Sequence, residues 1–304
     1  MQREPLRYDH LPWNNRPRIR WPGGARVALW VAPNVEYYEL APPANSARAA
    51  WARPAPDVQH YGTRDYGNRV GFWRLLACMD RHGVPGSVSL NAATSEHHPE
   101  IIAACAQRGW EFFSHGLYNT RYHYGMDEAQ ERAAILDSID TIRRHTGQTP
   151  EGWLAPALTH TSRTLDLVAE CGLRYICDLF HDDQPGPVKV RSSSLTSIPY
   201  SLETNDLIAH QVQLMAPRRY AEVLRRQFHR LYQEGADSGT VMCIPLHPYL
   251  IGQPYRLAAF EDALAHIAAH DKVWLTTGRE IARYFDTHYR DAFAAAGQAV
   301  AEVP

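Results

Sequence analysis

The chain has 304 residues, of which 45% are hydrophobic and 21% are charged, a composition ordinary for a globular protein with a large core. Its formal net charge of −2 provides no positive field of the kind on which binding to nucleic acid or to anionic membranes normally depends. We therefore expect a small-molecule substrate, with neither nucleic acid nor a membrane as a partner.

The cysteines and the amino terminus bear on the cellular compartment. Five cysteines lie in apolar runs without a Cys-x-x-Cys pair, which indicates core thiols rather than disulfides or a zinc knuckle. The first residues include no apolar segment of signal-peptide length, and no window of the sequence has the length and hydrophobicity of a membrane span. These features predict a cytoplasmic protein.

The first part of the chain is predicted to be an arm, a strand and a long loop. Residues 1–24 are rich in Pro, Arg, Trp and Asn without periodicity, which indicates an arm on the outside of the protein. The strand at 26–31 then runs into the polar residues Asn34 and Glu36. Residues 40–66 contain four prolines and are too long for a plain connection, so we predict a loop near the site.

After residue 66, helical and strand patterns alternate. The predicted helices cover residues 67–82, 99–107, 127–145, 161–170, 217–232, 257–270 and 279–284. The further predicted strands cover residues 85–90, 110–114, 152–157, 175–179, 195–200, 240–246 and 272–276. About eight alternating strands predict a parallel sheet closed into a barrel, with residues 1–304 as a single domain.

Polar side chains follow most of these strands. In a (β/α) barrel the active site lies at the carboxyl ends of the strands. The residues at these ends include carboxylates, imidazoles and amides: Asn34, Glu36, Asn91, His115, Asp178, Asn205 and His247. Hydrolysis of an amide needs a base for water, an acid for the leaving nitrogen and donors for the oxyanion, and this set of residue types can supply them.

Eight motifs along the chain are similar to those of one known family. They are Gly23 to Ala28, Asn34 to Glu36, Tyr66 to Arg74, Gly109 to Glu111, Ser114 to Gly116, Pro199 to Asp206, Leu246 to Pro248 and His270 to Trp274. With these motifs the sequence resembles the NodB-type polysaccharide deacetylases, and most closely their allantoinase-like branch. The resemblance implies a deformed (β/α) barrel of seven to eight strands that hydrolyses carbon–nitrogen bonds other than peptide bonds.

The resemblance also implies site residues, from which this sequence departs at three positions. Metal-dependent members carry two acidic residues after the first strand, a base and a metal ligand, and here these are Asn34 and Glu36. An amide at the base position cannot accept a proton. The family's His-x-x-x-His pair corresponds to His115 and Asn119, and an Arg that steers the base is replaced by Leu154.

These departures bear on the cofactor. Zinc prefers imidazole, thiolate and carboxylate donors, so a site with an amide at one position is poor, and we expect no metal cofactor. The allantoinase-like branch also lacks the second His and is thought to work without metal. A weak divalent site at Glu36 and His115 is the alternative, with His123 as a possible replacement for the lost ligand.

Roles follow for the remaining residues. Glu36, His115 and His247 are the candidate catalytic residues, and His247 matches the family's late histidine that protonates the leaving group. If Glu36 is buried, its pKa is expected to be raised. Amide, acidic and aromatic side chains are predicted to bind the substrate: Asn34, Asn91, Asn119, Trp153, Asp178 and Asn205.

The leading interpretation is a metal-independent, allantoinase-like amidohydrolase that opens a ureide or a cyclic amide. Two alternatives stay open: a metal-dependent deacetylase of an N-acetylated sugar, and a barrel that has lost catalysis and survives as a binding protein. The arm and the proline-rich loop are too apolar for free tails, and relatives in this branch are typically tetrameric. We therefore also expect a homo-oligomer, namely a tetramer.

Overall fold

The computed structural model describes residues 7–43 and 55–301 of the chain. Nine strands in these two ranges form one curved sheet. The strands are β1 (Val27–Val35), β2 (Ser87–Leu90), β3 (Glu111–Ser114), β4 (Gly152–Trp153), β5 (Tyr175–Ile176), β6 (Gly186–Val188), β7 (Leu195–Ser197), β8 (Thr240–Leu246) and β9 (Val273–Leu275).

Eleven α-helices in the same ranges accompany the sheet. They are α1 (Val58–Tyr66), α2 (Phe72–Arg81), α3 (Ala92–His97), α4 (Pro99–Gln107), α5 (Glu128–Thr146), α6 (Thr164–Glu170), α7 (Pro217–Glu234), α8 (Pro248–Ile251), α9 (Pro254–Ala268), α10 (Gly278–His288) and α11 (Arg290–Ala301). A π-helical turn, Gly67–Gly71, joins α1 to α2 without a break. None of these helices has the length and apolar character needed to cross a membrane.

Strand β1 is central and pairs with three others. β8 lies parallel along one edge of β1 over seven aligned residue pairs. On the other edge, β9 pairs with the amino-terminal end of β1 and β2 with the carboxyl-terminal end. All nine residues of β1 are buried. Burial on both faces explains why this strand has an apolar run rather than an alternating pattern.

From β1 the sheet continues through β2, β3, β4, β5 and β7, each parallel to its neighbour, and ends with the antiparallel strand β6. The sheet curls into a half-barrel, so the predicted deformed (β/α) barrel is confirmed. The eight predicted strands are all present. β6 was not predicted, because its Gly-Pro-Val sequence has neither apolar alternation nor an apolar run.

The aromatic pair in β3 shows how the two faces of the sheet are filled. Phe112 packs into the core between the sheet and the outer helices, with Phe72 and Phe228. Phe113 points to the other side, where Trp30 and other aromatic side chains fill the barrel interior. Successive residues of a strand point to opposite faces, so the adjacent phenylalanines stabilise both cores.

The prediction of a loop over residues 40–66 is wrong for its last part. Residues 58–66 form α1, because Asp57 caps the helix by accepting a hydrogen bond from the backbone N–H of His60. The prolines of this segment therefore lie before the start of α1. Residues 44–54 of the predicted loop lie outside the described residues.

β4 and β5 end sooner than predicted, next to the carboxylate of Asp178. β4 and β5 have two residues each, against the predicted ranges 152–157 and 175–179. Asp178 turns in after β5, and both its carboxylate oxygens accept from the backbone N–H of Ala155 at 3.1 Å. That N–H is consequently unavailable to the strand ladder.

The arm before β1 packs on its own chain. Ile19 and Trp21 are buried in the barrel-interior core. The indole N–H of Trp21 donates to the backbone carbonyl of Thr240 at 2.8 Å, and Arg7 forms an ion pair with Asp166. Ile19 and Trp21 are thus covered within one chain, whereas Trp13 is 37% exposed. Residues 1–6 lie outside the described residues.

Candidate active site

Three candidate catalytic side chains meet at the carboxyl ends of their strands. Glu36 follows β1, His115 follows β3 and His247 follows β8. All three line one cavity of about 310 Å³ at that end of the sheet. Because β1 lies between β2 and β8, side chains from strands distant in sequence come together there.

Glu36 lies between the two imidazoles. Its Oε1 is 3.6 Å from His115 Nε2 and also 3.6 Å from His247 Nε2. The residue is 5% exposed. Its second oxygen, Oε2, has no hydrogen-bond partner in the part of the chain that the structure describes. A buried carboxylate oxygen without a partner is costly, so this atom is suited to accept a hydrogen bond from water or substrate.

His115 is held by the chain that follows β4. Its Nδ1 lies 2.9 Å from the backbone carbonyl of Leu154. A carbonyl can only accept, so Nδ1 carries the proton and Nε2 faces Glu36. Gly116 then turns the chain away with φ +68°, and a Cβ at this position would lie 2.5 Å from Pro156. Glycine is therefore required directly after the histidine.

His247 is oriented by Asp206. The Asp206 carboxylate accepts from the backbone N–H of His247 at 2.9 and 3.0 Å, and Oδ1 lies 2.7 Å from Nδ1 of the same residue. Both side chains are buried. A carboxylate on one ring nitrogen leaves the other, Nε2, directed at Glu36. This contact makes Asp206 a positioning residue for His247.

The charges of this group oppose the effect of burial. Burial would raise the pKa of Glu36, but the nearby His247, His115 and Arg64 outweigh it and lower the pKa. The raised pKa predicted for Glu36 is therefore wrong. Burial would lower the pKa of His247, but Asp206 and Glu36 outweigh it and raise the pKa.

The side chain of Asn34 pairs with a tyrosine. Its Nδ2 lies 3.0 Å from the hydroxyl of Tyr200, and that hydroxyl lies 3.2 Å from Asn34 Oδ1. Both residues line the cavity. Asn34 is thus placed to contact substrate, in a position fixed by a tyrosine from the segment after β7.

A second wall of the cavity is built around Arg64. The guanidinium of this α1 residue lies over the rings of Tyr38 and Tyr249, at 4.1 and 4.5 Å from their centroids. Asn119 Nδ2 donates to the Tyr38 hydroxyl at 2.7 Å, while Asn119 Oδ1 has no hydrogen-bond partner among the described residues. The wall therefore presents one cation and one amide acceptor.

The predicted substrate-binding residues do not all reach the cavity. Asn34, Asn119 and Asn205 line it, whereas Asn91, Trp153 and Asp178 do not. Asn91 is fully buried and joins the ends of two strands, accepting from Tyr37 N–H and donating to the His115 carbonyl. Its position supports β1 and β3 rather than substrate contact.

Trp153 and Asp178 are likewise supporting residues. Trp153 is fully buried in the core beneath α5 and α6. The Asp178 carboxylate lies 2.6 Å from His160 and accepts from the N–H of Ala155. These positions correct the substrate-binding roles predicted for both. A strand end marks the right region of a barrel, but it does not tell which side chain points inward.

Comparison with known proteins determines the family. The family profile described as polysaccharide deacetylase matches residues 53–176. A crystal structure described as a probable polysaccharide deacetylase from Pseudomonas aeruginosa PAO1 is 34% identical with a TM-score of 0.81, and the match covers 91% of this chain and 96% of that chain. This chain belongs to the polysaccharide deacetylase family.

Two further relatives are named for two different activities. The crystal structure of PuuE allantoinase is 32% identical with a TM-score of 0.80, covering 90% of this chain and 94% of that chain. A peptidoglycan deacetylase from Helicobacter pylori is 24% identical over 253 residues, which is 72% of this chain and 85% of the relative. As a member of this family, the chain is a hydrolase acting on carbon–nitrogen bonds other than peptide bonds.

The donor set of the cavity does not fit a zinc ion. In the described ranges, two groups of three ligand-type residues have donor atoms within 4.8 Å of one another, and neither lies in the cavity. In the cavity, Asn119 uses its amide nitrogen on Tyr38, and its remaining donor is a neutral amide oxygen. Glu36 has His115 and His247 each 3.6 Å away, but these donors do not form a group within 4.8 Å of one another, and a neutral amide oxygen is a poor additional ligand for zinc.

His123 does not replace the lost ligand. Its ring packs against Trp153, and its Nδ1 lies 3.0 Å from Glu131 Oε1 in a buried pair. It does not line the cavity. The alternative in which His123 replaces the lost ligand is therefore not supported, because Glu131 of α5 holds the imidazole away from the site.

Two residues of the site were not identified from the sequence. Asp206 receives no role from the sequence, because no local pattern places it beside His247, 41 residues further along the chain. Arg64 lay in the segment predicted to be a loop, so no helical face could be drawn for it. Recognising Asp57 as a helix cap would have placed Arg64 two turns into α1.

Proposed function

We propose that this chain is a metal-independent amidohydrolase that opens a ureide or a cyclic amide. One observation carries the proposal: a single buried carboxylate, Glu36, is shared by two imidazoles whose Nε2 atoms are both 3.6 Å away. This arrangement offers a base and an acid within one small cavity, and it needs no Lewis acid to supply either.

The base is Glu36 together with His115. A separation of 3.6 Å is longer than a direct hydrogen bond, and a bridging water is the usual occupant of such a gap. With its pKa lowered, Glu36 is ionised at neutral pH and can accept the proton of that water as the water attacks the carbonyl. His115 orients the water, because its Nδ1 is already committed to the Leu154 carbonyl.

The acid is His247. Its raised pKa keeps the imidazolium populated near neutrality, and Nε2 then carries a proton toward the centre of the cavity. Transfer of this proton to the nitrogen completes cleavage of the C–N bond as the tetrahedral intermediate collapses. Asp206 holds the ring in the orientation for that step. Atoms and charge balance, since the proton taken by Glu36 can restore His247.

The size and polarity of the cavity support a small substrate rich in N–H groups. A volume of about 310 Å³ is near the lower end for small-molecule sites, and it suits a single small ring better than a polymer. Glu36 Oε2 and Asn119 Oδ1 are acceptors without hydrogen-bond partners among the described residues. The N–H groups of a ureide or an imide are the donors that would satisfy them. The 32% identity to PuuE allantoinase supports the same class.

A substrate panel tests the proposal. Purified protein is assayed with ureides, cyclic imides and N-acetylglucosamine oligomers, before and after treatment with a chelator. We expect turnover of a ureide or cyclic amide that survives chelation. Activity that the chelator abolishes and zinc restores would contradict the metal-independent mechanism.

A metal-dependent deacetylase of an N-acetylated sugar is the second candidate. The similarity to the peptidoglycan deacetylase favours it, as does the retention of a carboxylate and an imidazole at Glu36 and His115. The same panel separates the two candidates. Release of acetate from the sugar oligomers, dependent on an added divalent ion and without turnover of any ureide, would establish the second.

A further inference from the structure

Three histidines come together outside the cavity, at the surface where α7 packs against α9. His229 lies on α7, His266 lies on α9, and His270 follows shortly after α9 ends. One ring nitrogen of each lies within 4.8 Å of the other two. We call these residues the histidine cluster. His229 is exposed and the other two are half-buried, so a solvated ion can reach all three.

The spacing within the histidine cluster matches that of ligands sharing one ion. His229 Nε2 and His266 Nε2 are 2.8 Å apart. Two nitrogens bound tetrahedrally to one zinc ion at their usual bond length are separated by roughly 3.3 Å. A small rotation of either ring therefore replaces the hydrogen bond between the rings with two bonds to a shared ion.

The third imidazole is already set for coordination. His270 Nδ1 lies 2.7 Å from the backbone carbonyl of His266, so Nδ1 carries the proton and the lone pair is on Nε2. This is how second-shell carbonyls orient metal-binding histidines. The rings of Phe228 and Tyr232, both on α7, pack edge-on against His270 with centroids 4.8 and 5.7 Å away. The ring is thus fixed in place from the side of α7.

A second group of ligand-type residues, Cys78, His82 and Glu261, is less suited to an ion. Burial raises the pKa of the Cys78 thiol to about 12, so the ligating thiolate is scarce. Glu261 Oε1 is occupied by Arg81 at 2.7 Å and by His82 at 3.3 Å. An ion would have to displace a guanidinium there, whereas in the histidine cluster it displaces a single hydrogen bond between two imidazoles.

We propose that His229, His266 and His270 form a binding site for a divalent transition-metal ion. Among these ions, zinc suits the three imidazole donors. Three neutral imidazoles are donors that zinc prefers, and water completes the coordination. The nearby Arg225 adds positive charge that opposes the ion, so the site depends on direct coordination rather than on attraction at a distance. Zinc bound here ties α7 to α9 without taking part in the hydrolysis.

Titration of the metal-stripped protein with zinc chloride by calorimetry tests the site, with cobalt absorption as a second readout of the donor set. We expect one ion per chain, with affinity reduced by about tenfold or more in His229→Ala and in His266→Ala. His288→Ala removes another exposed histidine, on α10, and should bind zinc like the unaltered protein. Because His229 is exposed, its replacement should leave the fold intact.

Two further measurements separate this site from the cavity. Zinc should raise the melting temperature of the unaltered protein and of Glu36→Gln, but not that of His229→Ala, because an ion that binds the native state alone stabilises it. Loss of zinc binding in Glu36→Gln, with binding unchanged in His229→Ala, would place the ion in the cavity and overturn the proposal. Absence of saturable binding to the unaltered protein at micromolar zinc would overturn it as well.

Discussion

The protonation of one buried carboxylate sets the chemistry of the cavity. Burial would raise the pKa of Glu36 and lower that of His247, yet each is shifted in the other direction because its partners carry the opposite charge. Both shifts favour the charged forms, an anion on Glu36 beside a cation on His247. These are the forms in which a base takes a proton from water and an acid gives one to nitrogen.

Replacement of either member of the base should abolish most turnover. We expect His115→Ala and Glu36→Gln each to lower kcat by about 10²-fold to 10⁴-fold. The double variant should lose little more, since residues that act on one water are strongly non-additive. Steady-state kinetics with the best substrate of the panel measure these losses.

A buried histidine outside the cavity provides the matched control. His123 is buried and paired with Glu131, as His115 is with Glu36, but it does not line the cavity. His123→Ala should cost about 1–3 kcal/mol of stability through the partner left behind, with kcat nearly unchanged. Near-normal turnover by a folded His115→Ala protein would remove that histidine from the mechanism.

Asp206 should control the pH dependence through His247. Because the pKa of His247 is raised above 6.5, its protonation stabilises the fold below about pH 6.5. This contribution is lost as pH rises through the higher pKa that His247 has in the folded state.

Asp206→Asn removes a negative charge, so the pKa of His247 should fall. The alkaline limb of the kcat/KM profile should therefore move to lower pH by about one unit or more.

Asp178→Asn is the control for this experiment. Asp178 also pairs with a histidine and with a backbone N–H, but it lies outside the cavity lining. We expect a lower melting temperature and an unchanged alkaline limb. If both variants shift the limb alike, the effect reflects general destabilisation, and the acid role of His247 is contradicted.

The sequence predicts which strand ends carry the site better than it predicts which side chains enter it. Glu36, His115 and His247 come together as predicted, because each follows a parallel strand at the same edge of the sheet. Asn91 and Trp153 also lie at strand ends, but they point into backbone or core. A shift of one residue along a strand places the side chain on the opposite face. The predicted ends of strands are uncertain by more than one residue.

At the scale of elements, the cavity wall depends on the close packing of α8 against the turn between α1 and α2. A Cβ on Gly71 would lie 2.0 Å from the backbone carbonyl oxygen of Pro248. That carbonyl belongs to α8, which also carries Tyr249, the ring beneath Arg64. The two backbones thus approach more closely than any side chain allows.

Gly71→Ala should therefore destabilise the protein by about 1–3 kcal/mol and lower turnover by displacing α8 from α1. Gly62→Ala is the matched control, because Gly62 lies in α1 with nothing within 4 Å of an added Cβ. Alanine there should be neutral or stabilising by up to about 1 kcal/mol. Denaturant unfolding compares the two, and a Gly71→Ala protein as stable as Gly62→Ala would contradict this account of the packing.

Long periodic elements are predicted well, and short ones are not. The helices near 99–107, 127–145 and 217–232 are present within a few residues of their predicted ends. α11, with 12 residues, is missing from the prediction, and so are α3, α8 and β6, in which four to six residues, or three in β6, are too few to show a period. These short elements are stabilised by tertiary contacts, which a local pattern does not contain.

At the scale of the whole molecule, we expect an oligomer. Ile19 and Trp21 of the arm are covered within their own chain, so these two residues no longer argue for a partner. Large apolar side chains are nevertheless exposed elsewhere: Leu214 is 79%, Val212 is 62% and Tyr255 is 60% exposed. Single exposed apolar residues are normal, but three such side chains favour association. Light scattering should give a mass that is a multiple of 34.5 kDa, and a 34.5 kDa particle at micromolar concentration would refute this.

The pairing of β1 with β8 has a consequence for how the protein is made. β1 leaves the ribosome well before its seven aligned partners in β8, because β2 to β7 lie between the two strands in the chain. Until then, a strand that is buried throughout in the native state has one edge without its neighbour, and such edges are prone to aggregation. The same late segment delivers His247. A nascent chain that stalls before β8 therefore lacks both the closing strand and the acid, because the neighbour of β1 and His247 are delivered together by the same segment.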